Sequence, residues 1–209
     1  MQAPKAQSPR TASPCSSVSM RVIAGTYRSR PLTAPRGMAT RPTSDRLRET
    51  VFNILAPHIE GARFADLYAG TGAVGIEALS RGAANVTFVE SAPPAIAALQ
   101  ANLAALKIRE GFQLEQRSVS VALRNLARRD PHFNLIYLDP PWEDGTAYTK
   151  SLMLLAESSA ALLAPGAIVI AEHARRGSAT IADTYGALHR YRILEQGDAA
   201  LSFYQRKAD

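Results

Sequence analysis

The 209-residue chain holds a single cysteine, Cys15. One thiol excludes an internal disulfide and a cysteine-built zinc site. Cys15 also precedes the first apolar pattern, which removes it as a nucleophile. Aromatic residues are few, at 7%, with one tryptophan, Trp142. No apolar run approaches the roughly 18–20 residues that span a bilayer, so no membrane partner is expected. His58, His132, His173 and His189 are scattered without ligand spacing, so no metal site is expected. A reducing, cytoplasmic setting is expected. Acids are scarce at the start of the chain: residues 1–50 carry nine basic and two acidic residues, and the remainder fifteen and sixteen. The net charge of +6 is therefore a basic arm on a near-neutral body, the footprint of a polyanionic partner.

Three regions follow from the pattern. Residues 1–19, rich in Ser, Pro and Ala without an acid, read as a disordered tail. Residues 20–60 read as a basic extension: a short hairpin through "RVIAG" and "PLTAP", then a helix. Thr43 is its expected N-cap, and Leu47, Val51, Ile54 and Leu55 form its apolar stripe. Arg46 and Arg48 fall off that stripe. Residues 61–209 alternate strand and helix five times, then close in a hairpin around Gln196-Gly197-Asp198. The expected fold is α/β, a Rossmann-like doubly wound, mostly parallel seven-stranded sheet ending in an antiparallel hairpin.

Two stretches carry chemistry. "DLYAGTGAVG" places Gly70, Gly72 and Gly75 as G-x-G-x-x-G between a strand and a helix. The backbone can there approach a ligand closely at a helix N-terminus. Glu90 ends the next strand, where a carboxylate accepts ribose hydroxyls. NAD and S-adenosylmethionine both fit. Asp66 tilts the balance: a carboxylate beside the loop repels a pyrophosphate and suits a sulfonium and an ammonium.

The second stretch is Asp139-Pro140-Pro141-Trp142, at the end of the strand "FNLIYL". The prolines fix φ and remove two N–H donors, which aims the Pro140 carbonyl beside the Asp139 carboxylate. Two adjacent acceptors match an exocyclic NH₂, and Trp142 offers a face for a planar base. Holding both N–H groups turns the nitrogen lone pair toward an electrophile.

This stretch resembles the [DN]-P-P-[YFW] motif of amino-group methyltransferases that use S-adenosylmethionine. Together, "MRVIAGTYRSRPL", "TRPTSDRLRETVFNIL" and "DLYAGTGAVGIEALSRGA" resemble the RsmD-type small-subunit ribosomal RNA guanine-N2 methyltransferases of bacteria, over about residues 20–206. The resemblance implies methyl transfer to the N2 amine of a guanine, with Asp139, Pro140, Pro141 and Trp142 holding the base. It implies S-adenosylmethionine on Asp66, Ala69, Gly70, Thr71, Gly72, Gly75, Glu90, Ser118 and Val119, and RNA on Arg41, Thr43, Arg46 and Arg48. It further implies ribosomal RNA within small-subunit assembly particles as partner and a monomeric enzyme. Two positions depart from the group. Ser118 stands where Asp or Asn is usual, and Trp142 where Phe or Tyr is usual. The competing readings are an amino-methyltransferase acting on DNA adenine or protein glutamine, a dinucleotide-binding protein, and a non-catalytic RNA-binding module.

Overall fold

The computed structural model describes residues 20–34, 44–129, 131–176 and 181–207. The expected tail, and Arg41 and Thr43, lie outside these residues.

Alternation of apolar strands and amphipathic helices produces α1 (Asp45–Ile59), β1 (Arg63–Leu67), α2 (Ala73–Ser80), β2 (Asn85–Glu90), α3 (Pro93–Ala105), β3 (Phe112–Gln116) and α4 (Val119–Ala127). There follow β4 (Phe133–Leu138), α5 (Gly145–Glu157), α6 (Ser159–Leu162), β5 (Leu163–Ala174), β6 (Thr184–Tyr185), β7 (Leu188–Gln196) and β8 (Ala199–Arg206). They form one sheet in the order β3-β2-β1-β4-β5-β8-β7-β6. The first five strands run parallel, while β8, β7 and β6 pair antiparallel.

Side chains of successive strand residues point to opposite faces, and the core divides accordingly. Phe64, Phe88, Tyr137, Ile170 and Phe203 pack on the face that also buries Leu47, Val51, Phe52 and Leu55 of α1. Ala65, Leu67, Val89, Leu138 and Ala171 pack on the other, with residues of α4 and α5. From β1 the chain winds outward through β2 and β3, then crosses back to β4 on the other side of β1. Strand order reverses between β1 and β4, where open α/β sheets bind ligands.

Three expectations need correction. The sheet has eight strands rather than seven, because the two-residue β6 pairs with β7; so short a segment has no periodicity to read. The last helix of the strand–helix alternation, which the sequence places around 147–163, breaks at Ser158 into α5 and α6, and Leu163 already begins β5. The N-cap of α1 is Ser44, whose Oγ accepts the Leu47 N–H at 3.1 Å.

The segment before α1 is short but firmly held. Arg21 and Pro31 form an antiparallel bridge, and Met20, Val22 and Leu32 are buried in the core of the first face. Glu77 of α2 accepts the Ile23 N–H at 2.7 Å and the Ala24 N–H at 3.0 Å, and the Ser80 carbonyl accepts Thr26 N–H at 2.8 Å. Asn102 of α3 reaches two ways. Its Oδ1 accepts Thr33 N–H at 2.8 Å, while its Nδ2 donates to the carbonyls of Thr33 and Thr71, each at 3.0 Å. No helix among the described residues is long and apolar enough to cross a membrane.

Candidate active site

The register of β1 and β4 pairs Leu67 with Leu138. The residues that follow each strand therefore leave the sheet side by side. Asp139 N–H points to the Leu67 carbonyl at 3.4 Å, which holds Asp139 next to the glycine loop.

The loop turns tightly. Gly72 N–H donates to Ala69 O at 2.7 Å, and Gly70 and Gly72 adopt φ of 55° and 79°, where a side chain would be strained. A Cβ at Gly70 would meet no atom of the described residues within 4 Å, so the backbone there borders open space among them. At Gly75 the demand is packing: a Cβ would sit 2.2 Å from the Phe88 ring.

Both loop acids are engaged. Glu90, half-buried, accepts Gly70 N–H at 2.8 Å on Oε2, and Ser91 and Ala92 N–H at 2.7 and 2.8 Å on Oε1. A carboxylate has about four lone-pair positions, so capacity remains for a ribose hydroxyl. Asp66 is 2% exposed and accepts Gly75 N–H at 2.8 Å, satisfying a free donor in the first turn of α2. It lies beneath the loop instead of in an open cleft. Burial pushes its carboxyl up to about 7; the Glu90 charge adds to this and the Gly75 N–H opposes it.

Two clefts of about 200 Å³ each open at this edge. The first gathers Tyr68, Glu90, Ser118, Val119, Asp144 and Lys150. The second gathers Ser44, Arg46, Trp142, Glu172 and Asp198. The segment from Asp139 to Asp144 runs from one to the other, giving Trp142 to the second and Asp144 to the first. Trp142 is half-buried, with its ring partly packed on the core and partly lining the cleft. Pro140 is buried and Pro141 exposed. The buried Tyr148 hydroxyl stands 2.8 Å from Glu172 O and 3.3 Å from Pro140 O. A carbonyl oxygen has two lone pairs, so the Pro140 oxygen keeps acceptor capacity beside the Tyr148 hydroxyl. A larger cavity of about 520 Å³ lies against α3 and β3, lined by residues such as Leu103, Ile108 and Phe112. It contains no carboxylate and none of the expected site residues.

The structure thus brings Glu90, Ser118 and Val119 together in one cleft, and Trp142 and Arg46 in another. Arg48 does not join them. It is 0% exposed: its guanidinium donates to Asp45 Oδ1 at 2.9 Å and to the Arg21 carbonyl, with Glu77 4.0 Å away. The expectation of an RNA-facing Arg48 is corrected, because its charge is consumed inside the protein. Sequence reasoning missed Tyr68, Lys150 and Glu172. Tyr68 carried a signal, since it stands between the strand and the first glycine. It adopts a positive φ of 66° and bonds Ser151 Oγ at 2.9 Å.

A family model described as "Conserved hypothetical protein 95" matches residues 20–205. The ribosomal RNA small subunit methyltransferase D of Escherichia coli is 35% identical over 189 residues, covering 90% of this chain and 91% of the relative. The chain belongs to the ribosomal RNA small subunit methyltransferase D family. The Haemophilus influenzae relative of that name is 36% identical, covering 73% of this chain and 78% of its own. The solved Escherichia coli structure described as a methyltransferase, yhhF, superposes with a TM-score of 0.73 at 31% identity, covering 91% of this chain and 99% of the other. Within the small subunit methyltransferase D family frame, the glycine loop and the Asp139 segment lie where the strand order reverses.

Proposed function

We propose that this protein transfers a methyl group from S-adenosylmethionine to the exocyclic N2 amine of a guanine in small-subunit ribosomal RNA. The observation that carries the reading is the Asp139–Asp144 segment as a wall between two clefts, giving Asp144 to the one that holds the Glu90 carboxylate and Trp142 to the other. A transfer between two molecules needs two pockets that meet at the reacting atoms.

The residues present fit the cofactor. Glu90 retains acceptor capacity for ribose hydroxyls, and the bare backbone at Gly70 borders open space. Ser118 offers a hydroxyl in the same cleft as Glu90. The cofactor supplies a methyl group bonded to a positively charged sulfur. On the other side, the Trp142 ring stacks the base, and Asp139 with the Pro140 carbonyl accepts the two N2 protons. The nitrogen lone pair then points across the wall. The nitrogen takes the methyl group, with the sulfur left as a neutral thioether, and, cationic once bonded, passes one proton to the Asp139 carboxylate, so no strong base is required beforehand. Exposed Arg28, Arg30 and Arg46 suit phosphate contacts, since arginine forks to phosphate oxygens. Ribosomal RNA as substrate implies a cytoplasmic reaction, and a partly assembled small subunit is the proposed partner of a monomeric enzyme.

Three measurements test this. First, the protein is incubated with methyl-labelled S-adenosylmethionine and, separately, small-subunit particles, naked ribosomal RNA, duplex DNA and total protein. Label should appear as N2-methylguanosine in RNA; label on adenine or on protein overturns the reading. Second, Arg46→Glu should weaken RNA binding several-fold and make its salt dependence shallower by one to two phosphate contacts. Unchanged affinity would remove Arg46 from the interface.

The third follows from Asp66. Below about pH 7 the carboxyl is protonated in the free protein. A cation over the loop favours the ionised form, so cofactor binding expels a proton. Affinity should rise with pH toward 7, by at most about tenfold per unit, and level off above it. Calorimetric titration of Asp66→Asn should give a flat profile. Stability runs the other way. The folded carboxyl holds its proton at higher pH than the roughly 3.9 of an unfolded chain. Its contribution is therefore complete below about 4 and is lost as pH climbs to about 7.

A further inference from the structure

The register of β4 and β5 pairs Leu138 with Ala171. Asp139 and Glu172, one residue further along each, are therefore neighbours across the same sheet edge. Leu138 and Ala171 both bury their side chains on the second face. Alternation directs Asp139 and Glu172 to the opposite face, where Trp142 and α1 lie. Adjacent strands stand about 4.8 Å apart, so two carboxyl groups share one small space. Glu172 is 3% exposed yet lines the Trp142 cleft. The Tyr137 hydroxyl donates to Glu172 Oε2, and the Tyr148 hydroxyl holds the Glu172 carbonyl. Burial and the Glu172 charge both push the Tyr137 hydroxyl well above its usual value, so it remains a donor.

Holding an amine needs one carboxylate, and Asp139 is that one. Glu172 keeps acceptor capacity beyond the Tyr137 hydroxyl, since a carboxylate has about four lone-pair positions, and it lines the same cleft as Trp142. The Watson–Crick edge of guanine supplies a matching donor. Beside the N2 amine guanine carries a second donor, N1–H, whereas adenine and 2,6-diaminopurine have a lone pair at that ring nitrogen. We infer that Glu172 is a specificity-determining residue that accepts the N1–H of the target base while Asp139 accepts the N2 amine. The inference rests on the proposed guanine-N2 activity and deepens it. A purine that keeps the 2-amino group but offers a lone pair at N1 meets a carboxylate without a proton to bind. Sites built to hydrogen-bond one substrate group discriminate strongly against analogues that lack it.

The test uses one RNA fragment carrying either guanosine or 2,6-diaminopurine riboside at the methylated position. Both bear the N2 amine; 2,6-diaminopurine offers a lone pair at N1 and an amino group in place of the C6 carbonyl, so the change of preference in the Glu172 variant isolates the N1 contact. The wild-type protein should prefer guanosine in kcat/KM by at least about a hundredfold. Glu172→Gln can turn an amide N–H toward the N1 lone pair. The preference should fall at least about tenfold, with a slower rate on guanosine and cofactor affinity within a few-fold of wild type. An unchanged preference ratio in Glu172→Gln overturns the inference. If that variant loses cofactor affinity through misfolding, Glu172→Asp decides: a retained carboxylate should keep the guanosine preference at reduced rate, and a lost preference overturns the assignment. Failure of the wild-type protein to label any guanine N2 would instead sink the proposed activity itself.

Discussion

Asp139→Ala should lower kcat for methyl transfer by about 10³-fold, the scale on which deletion of one fixed polar group at a reacting centre is felt. The affinity for S-adenosylmethionine should stay within a few-fold, because Asp139 lies outside the cleft that holds Glu90 and Ser118. Single-turnover measurement at saturating RNA separates the two quantities. The carboxylate accepts one of two amine protons, and its loss leaves the nitrogen conjugated with its ring. A turnover within tenfold of wild type would show that the acceptor pair does not drive the reaction. Asp139→Asn should be milder, since an amide oxygen still accepts, though less strongly than a charge.

The second large effect concerns stability. Glu77→Ala should cost about 3–5 kcal/mol in denaturant unfolding, the range for removing one partner of a buried ion pair. Glu77 and Arg48 are both 0% exposed. Glu77 accepts Arg81 Nε at 2.7 Å as well as the Ile23 and Ala24 N–H groups, and it faces Arg48 Nε at 4.0 Å. Without it, two backbone donors lose their acceptor and a buried guanidinium keeps only Asp45 and one carbonyl. Arg48→Met should cost less, because Glu77 then retains Arg81 and both N–H groups. Equal costs for the two variants would contradict this asymmetry.

The architecture was legible because each level of the sequence agreed with the next. Apolar strands alternate with helical stripes, and a parallel sheet with a reversal beside the glycine loop follows. The Asp139 segment was legible because a strand running into an acid and two prolines has few structural uses. What escaped depended on residues far apart in the chain. Arg48 lies off the stripe of α1, which ordinarily means solvent; its counter-charge Glu77 stands on another helix. Asp66 accepts the Gly75 N–H, a bond the motif alone did not reveal, since a loop that opens a helix leaves donors to satisfy. Glu172 sits in a strand that reads as simply apolar. Only pairing with β4 sets it beside Asp139.

Asn102 ties Thr33 to Thr71, and so ties the leading segment to the loop that would cradle the cofactor. Thr71 Oγ1 also donates to the Met20 sulfur at 3.8 Å, so a displacement of residues 20–34 reaches that loop through two side chains. A substitution that removes the Asn102 amide should therefore loosen the leading segment and the loop together.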